Sequence, residues 1–198
     1  MRWWSKPIAG VVAVVAFVAA SAGVKQLLQR HEPSIPSNLA TQPWTEVTLG
    51  ARIAFDAPWQ LHAERFDLPP QVVALVKSST YLTNEADGVM IGAMEFSYRA
   101  DVDVRANLDG AADGAIANLH TPPGTLSVDA SKSDTTILGS RAIEVDARIH
   151  RDRADPLRAH GLVFSDQNEL VMLISISGAD EDGGALVWDR VRKSIRAR

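Results

Sequence analysis

The chain has 198 residues, 46% of them hydrophobic, 6% aromatic and 22% charged, with 13 Gly, 10 Pro, no Cys and a net charge of −4. That composition excludes a collagen-like, disordered or disulfide-stapled chain. Without Cys there is also no thiolate metal cluster, cysteine nucleophile or lipid-modified cysteine. The charge is uneven: up to Arg30 the chain carries four basic residues and no acid, from His31 to Ser140 six basic and fourteen acidic residues, and from Arg141 onward ten of each. An acidic body argues against nucleic acid as a partner, because phosphate neutralisation needs Lys and Arg gathered on one surface.

Arg2, Lys6, Trp3 and Trp4 precede an uncharged run from Pro7 to Val24 rich in Val and Ala. As a helix the run would span roughly 27 Å, just enough to cross a hydrocarbon core of about 30 Å. The tryptophans suit the headgroup level, and the two cations favour a cytoplasmic N-terminus. This predicts a membrane helix over residues 1–24 that anchors the chain in a bacterial inner (cytoplasmic) membrane by a single pass. An alternative is a secretory signal with its apolar region at Ile8 to Val18 and cleavage after Ala22, within Ala20-Ser21-Ala22, which would release the rest as a secreted or periplasmic small-ligand-binding module. Either way, everything after Lys25 is expected outside the cytoplasm.

Residues 25–43 include Glu32-Pro33-Ser34-Ile35-Pro36-Ser37-Asn38, polar and twice interrupted by proline, and read as an extended linker. The folded domain is expected over residues 44–198. Thr45 to Leu49 and Arg52 to Phe55 read as strands joined at Gly50, and Trp59 to Phe66 as a third. Pro69-Pro70 opens a short helix at Gln71 to Lys77. Thr80 to Asn84 and Val89 to Tyr98 flank Asp87-Gly88, a strong hairpin signal.

From Asp103 to Leu119 the apolar residues Val104, Leu108, Ala111, Ala112, Ala115, Ile116 and Leu119 share one helical stripe, with Asp109, Asp113 and Asn118 off it. Strands follow at Thr125 to Val128, Asp134 to Leu138, Ala142 to His150, Leu157 to Phe164 and Glu169 to Ser177. A last helix after Asp180 carries Val187, Trp188, Val191 and Ile195 on one face. The pattern predicts an α+β domain: a mostly antiparallel sheet with helices packed on it.

Ile53-Ala54-Phe55-Asp56-Ala57-Pro58-Trp59 near the start, a helix after the hairpin, a run of antiparallel strands, and Trp188-Asp189-Arg190-Val191-Arg192-Lys193-Ser194-Ile195 at the end resemble the PsbP-like and DcrB-like α/β/α sandwich group. The resemblance covers Trp44 to the C-terminus. It implies a sandwich fold and a non-catalytic, extracytoplasmic accessory or interaction role.

Little in the sequence suggests chemistry. His31, His62, His120, His150 and His160 are scattered without the spacing of a zinc site, and there is no phosphate loop, nucleophile elbow or dinucleotide fingerprint. No metal, cofactor or catalytic residue is therefore expected. Asp109 and Asp113 share a helix face, which reads as solvated surface since a hard cation needs more oxygens.

One constellation stands out. If Ala142 to His150 and Leu157 to Phe164 pair across Arg151 to Pro156, then Arg148 and His150 lie opposite His160 and Arg158 on the wet face, with Arg151 and Arg153 in the loop. Like charges across a strand pair need a counter-charge. Asp152 and Asp155 could supply it locally; otherwise Arg148, His150, Arg151, Arg153, Arg158 and His160 form a surface for an anion, a lipid headgroup or an acidic envelope-protein partner. The basic C-terminal residues Arg190, Arg192, Lys193, Arg196 and Arg198 suit the dipole of a helix end, and Trp59 and Trp188 read as core anchors.

Overall fold

A computed structural model of the protein describes residues 39, 41–66, 68, 70–99, 108–122, 124–179 and 182–198. The expected membrane helix over residues 1–24 and most of the linker lie outside them. No described helix is long and apolar enough to cross a membrane.

The elements are β1 (Thr45–Leu49), β2 (Ile53–Ala57), β3 (His62–Ala63), α1 (Pro70–Val73), β4 (Val76–Ala86), β5 (Val89–Tyr98), α2 (Leu108–Leu119), β6 (Thr125–Ile137), β7 (Ser140–Arg151), β8 (Ala154–Asp166), β9 (Glu169–Gly178), α3 (Asp182–Lys193) and β10 (Arg196–Ala197). Seven strands form an antiparallel sheet in the order β3-β4-β5-β9-β8-β7-β6, and β1-β2-β10 form a second, smaller one. The α+β expectation holds: helices pack on antiparallel sheets.

Alternation along each strand sorts the large sheet into two faces. One face carries Met94, Phe96, Ile143, Val145, Val163 and Met172 beneath α2, which supplies Leu108, Ala111 and Ala112. The other carries Ile91, Ala93, Leu162, Phe164, Val171 and Leu173 beneath the small sheet and α3, which supply Leu49, Phe55, Val187, Trp188 and Val191. Packing reaches back to Leu39, 2% exposed, ahead of the expected start at Trp44. The Trp44 indole N–H donates to the Leu39 carbonyl at 3.1 Å, and the Arg190 guanidinium sits 4.2 Å over the Trp44 ring.

Tight turns set the meander. Asp87 and Gly88 (φ 54° and 76°) and Leu138 and Gly139 (φ 51° and 77°) put both central residues in the left-handed region, the type I′ signature that matches strand twist. The β7–β8 connection is likewise shorter than the expected 151–156, with Asp152-Arg153 between the two strands and a register shift between Ile149 and Arg151.

Three further boundaries differ from expectation. β3 is only two residues long because the chain leaves the sheet edge to carry Phe66 over, edge-on, against the Tyr81 and Phe96 rings, 5.9 Å away in both cases. The helix expected through Lys77 stops at Val73, and Val76 instead pairs with Tyr98. The two strands expected at 125–128 and 134–138 are one continuous edge strand, β6, whose mostly exposed side chains leave no apolar alternation to read. α2 is described from Leu108, the earlier residues of the expected stripe lying outside the described set. Asn118, placed off the stripe, is fully buried.

Candidate functional site

α3 covers only part of its face of the large sheet, and the uncovered strip is polar. By alternation Glu144, Asp146, Arg148 and His150 of β7 point to that side, as do Arg158 and His160 of β8 and Ser131 and Ser133 of β6. With Trp188, Asp189 and Arg192 of α3 as a wall, Glu144, Asp146, His160, Ser131 and Ser133 line a trough of about 390 Å³, continued along β6–β8 by a second hollow of about 430 Å³ at Arg148 and Arg158.

The α3 end of the trough is built around Glu144. The Trp188 indole N–H donates to Glu144 Oε1 at 3.2 Å and Arg192 Nη1 to Glu144 Oε2 at 3.0 Å. Trp188, 5% exposed, also stacks on His160 with ring centroids 5.7 Å apart and planes within 9°. Burial holds the His160 imidazole below its ordinary value; Asp146 and Glu144 oppose that shift and Arg158 adds to it. The folded state therefore favours neutral His160. The stability that goes with it is lost as pH falls from the ordinary imidazole value of about 6.5 toward the depressed folded one. Its Nε2 is buried with no hydrogen-bond partner among the described residues.

The structure brings together three of the six expected surface residues. The register is two residues off the expected one: Arg148 lies directly opposite Arg158 rather than His160, and His160 faces Asp146. Arg158 forks onto Asp146 at 3.1 and 2.6 Å, and this bond holds the Asp146 carboxyl below the usual range. His150 falls at the register shift, pairs with Ser127 of β6, and its Nε2 is 3.0 Å from Asp129. Arg151 and Arg153 sit away from the trough at the β7–β8 turn. Arg151 Nε donates to the Asp155 carbonyl at 2.7 Å, and Arg153, 92% exposed, is 3.9 Å from Asp152. The main counter-charges are thus Asp146 and Asp129, on strands, in addition to the loop acids. The sequence reading missed Asp146, Glu144 and Trp188 as members of this network; Asp146 and Glu144 were visible as the i−2 and i−4 neighbours of Arg148 on one strand face.

The other expected charges are ordinary ion pairs. Lys132 binds Asp113 at 2.5 Å, and Arg141 joins Asp109 at 3.0 Å and Asp134 at 2.6 Å, which ties the outer face of α2 to the β6–β7 hairpin. Arg196 clasps Glu46 and Asp56, and Lys193 pairs with Asp189 at 2.8 Å. Among the described residues no group of three or more His, Asp or Glu side chains could hold a metal ion. The void between α2 and the sheet, beside Ala115, Leu119 and Gly161, measures about 20 Å³, room for about one water rather than the hundreds of Å³ a small-molecule site occupies.

No protein-family model matches the sequence, and no curated protein matches it. Among solved structures, the chain has the fold of the PsbP-like and DcrB-like sandwich group. Cyanobacterial PsbP (CyanoP) from Synechocystis sp. PCC 6803 matches with a TM-score of 0.51 at 10% identity, covering 74% of this chain and 86% of that one. Two further matches are PA94, a Pseudomonas aeruginosa protein of unknown function (TM-score 0.45, 16% identity, 78% of this chain and 97% of that one), and LpqN, involved in cell envelope biogenesis of Mycobacterium tuberculosis (TM-score 0.44, 16% identity, 78% and 90%). At these identities the likeness defines the fold class and nothing finer.

Proposed function

We propose that the protein is a membrane-tethered accessory domain working outside the cytoplasm, without catalytic machinery, that docks on another component of a bacterial envelope. The observation that carries this reading is the N-terminal sequence: a basic flank, an uncharged run over residues 7–24, a proline-interrupted linker, then a sandwich domain. A fold shared with CyanoP supports it. The partner-facing surface is the trough with Arg148, Arg158 and His160, flanked by His150, Arg151 and Arg153. Because Asp146 and Asp129 neutralise part of that charge, the surface suits a protein partner of mixed charge better than a sheet of anionic headgroups.

Membrane fractionation tests the tether. The full chain is expected to stay with membranes through high salt and alkaline carbonate, and a chain lacking residues 1–24 to be lost from them. A mature N-terminus at Gly23 would instead favour the released small-ligand module, for which the trough and the hollow that continues it offer more room than the void beneath α2. Charge reversal at Arg148 is expected to leave membrane retention intact while weakening cross-linking at the trough; unchanged cross-linking removes the trough from the reading.

A further inference from the structure

The two sheets meet over a pair of carboxyl groups that the trough does not use. Glu95 of β5 stands on the face toward the small sheet, opposite Thr80 of β4 and Val171 of β9, and is only 6% exposed. Glu169, two residues before Val171 and so on the same face, hydrogen-bonds the Glu95 carboxyl. Oε2 of Glu169 is buried with no partner among the described residues. The β1–β2 turn lands on this pair: a Cβ built on Gly50 would stand 1.9 Å from Glu95 Oε2, so the turn backbone lies directly against the carboxyl.

Two carboxylates cannot hydrogen-bond each other unless one keeps its proton. The charged groups on the surrounding elements do not relieve the pair. Asp166 of β8 stands directly across from Glu169, and Arg52, from the end of the same turn, is bound to it at 2.9 Å, so that ion pair borders the carboxyls without adding net charge. Just past β10, the Arg198 backbone N–H donates to the Arg52 carbonyl at 2.8 Å, and β4 presents the uncharged Thr80.

We propose that Glu95 and Glu169 share one proton and act as a latch, holding the β1–β2 hairpin down on the large sheet in acid and loosening it toward neutral pH. Loss of that proton places two negative charges in contact under the Gly50 turn. They are relieved only when the turn lifts and water enters. Burial first, and the Glu169 charge second, push the Glu95 carboxyl up to about 7. The closed state then holds a proton that the open state releases, so its advantage falls as pH rises from the ordinary carboxyl range to about 7, and falls no further above that.

Hydrogen exchange of the full chain in detergent, corrected for the intrinsic pH dependence of exchange, tests the latch. Opening of the amides around Gly50 is expected to rise by about tenfold or more between pH 5 and pH 7.5. In Glu95→Gln the rise disappears, because the amide donates to Glu169 at every pH. No rise in the unmodified chain, or the same rise in Glu95→Gln, overturns the proposal. Should Glu95→Gln fail to fold, carbon-13 titration of the glutamate carboxyls in the unmodified chain decides: one carboxyl titrating near 7 supports the latch, and ordinary values for both reject it.

Discussion

Replacing Trp188 with alanine is expected to destabilise the domain by about 3–5 kcal/mol, the usual cost of deleting a buried indole. Three losses combine at this position. Trp188 fills the core between α3 and the sheet alongside Val187 and Val191, its ring lies flat on His160, and its N–H satisfies Glu144. The alanine would leave a cavity and strip one donor from Glu144, which keeps Arg192. Trp188→Phe keeps an aromatic ring at the site but loses the N–H and part of the indole's buried volume, and is expected to cost less, about 1–3 kcal/mol. Urea unfolding of both variants measures the difference. A loss below about 1 kcal/mol for Trp188→Ala would mean that α3 is not seated by this residue and that the trough lacks a fixed wall.

Gly50→Ala is expected to cost about 3 kcal/mol, more than the backbone term alone. Gly50 has φ 61°, where an alanine is strained by about 1–2 kcal/mol. The added Cβ would also overlap the Glu95 carboxyl, 1.9 Å from Oε2. Neither strand can retreat cheaply, as β1 and β2 bury Leu49 and Ile53 on either side of the turn. The overlap predicts coupling: in a Glu95→Ala background the alanine at position 50 has room, and the double variant is expected to be more stable than the two single losses predict by about 1–3 kcal/mol. Additive losses in urea unfolding would show that the turn does not rest on Glu95.

How much of this was readable in the sequence depended on whether a residue's role was local. Asp87-Gly88 announced its turn because the backbone conformation required there suits those two residue types. The strand from Val89 to Tyr98 matched its observed bounds, its apolar residues being bounded by clear turn signals. β6 was split in two because an exposed edge strand needs no apolar face, and its pairing with β7 is a tertiary property. The short helix was overextended because Val76 fits a helical stripe as well as a strand, and only Tyr98 across the sheet decides between them. In the trough, the shared wet face of Arg148, Arg158 and His160 followed from period-two alternation and a hairpin, but the register, which sets Arg148 against Arg158 rather than His160, depends on the turn and its register shift. The reach of Trp188 and Arg192 to Glu144 did not, since more than 40 residues separate them and the helix crossing that joins them is set by the whole core. In sequence Glu95 is one polar residue within the apolar strand Val89 to Tyr98. Its burial became visible only once the small sheet was placed above it.

The proposed tether puts the sandwich domain on the outer side of a cytoplasmic membrane, and the absence of cysteine from the chain makes that placement directly testable. A single cysteine introduced at Leu126, 68% exposed, provides a reporter on the domain surface. In intact spheroplasts, a membrane-impermeant maleimide is expected to label this cysteine without permeabilisation, and the labelled chain should sediment with membranes after carbonate washing. Labelling that appears only after the cytoplasmic membrane is broken would contradict the account.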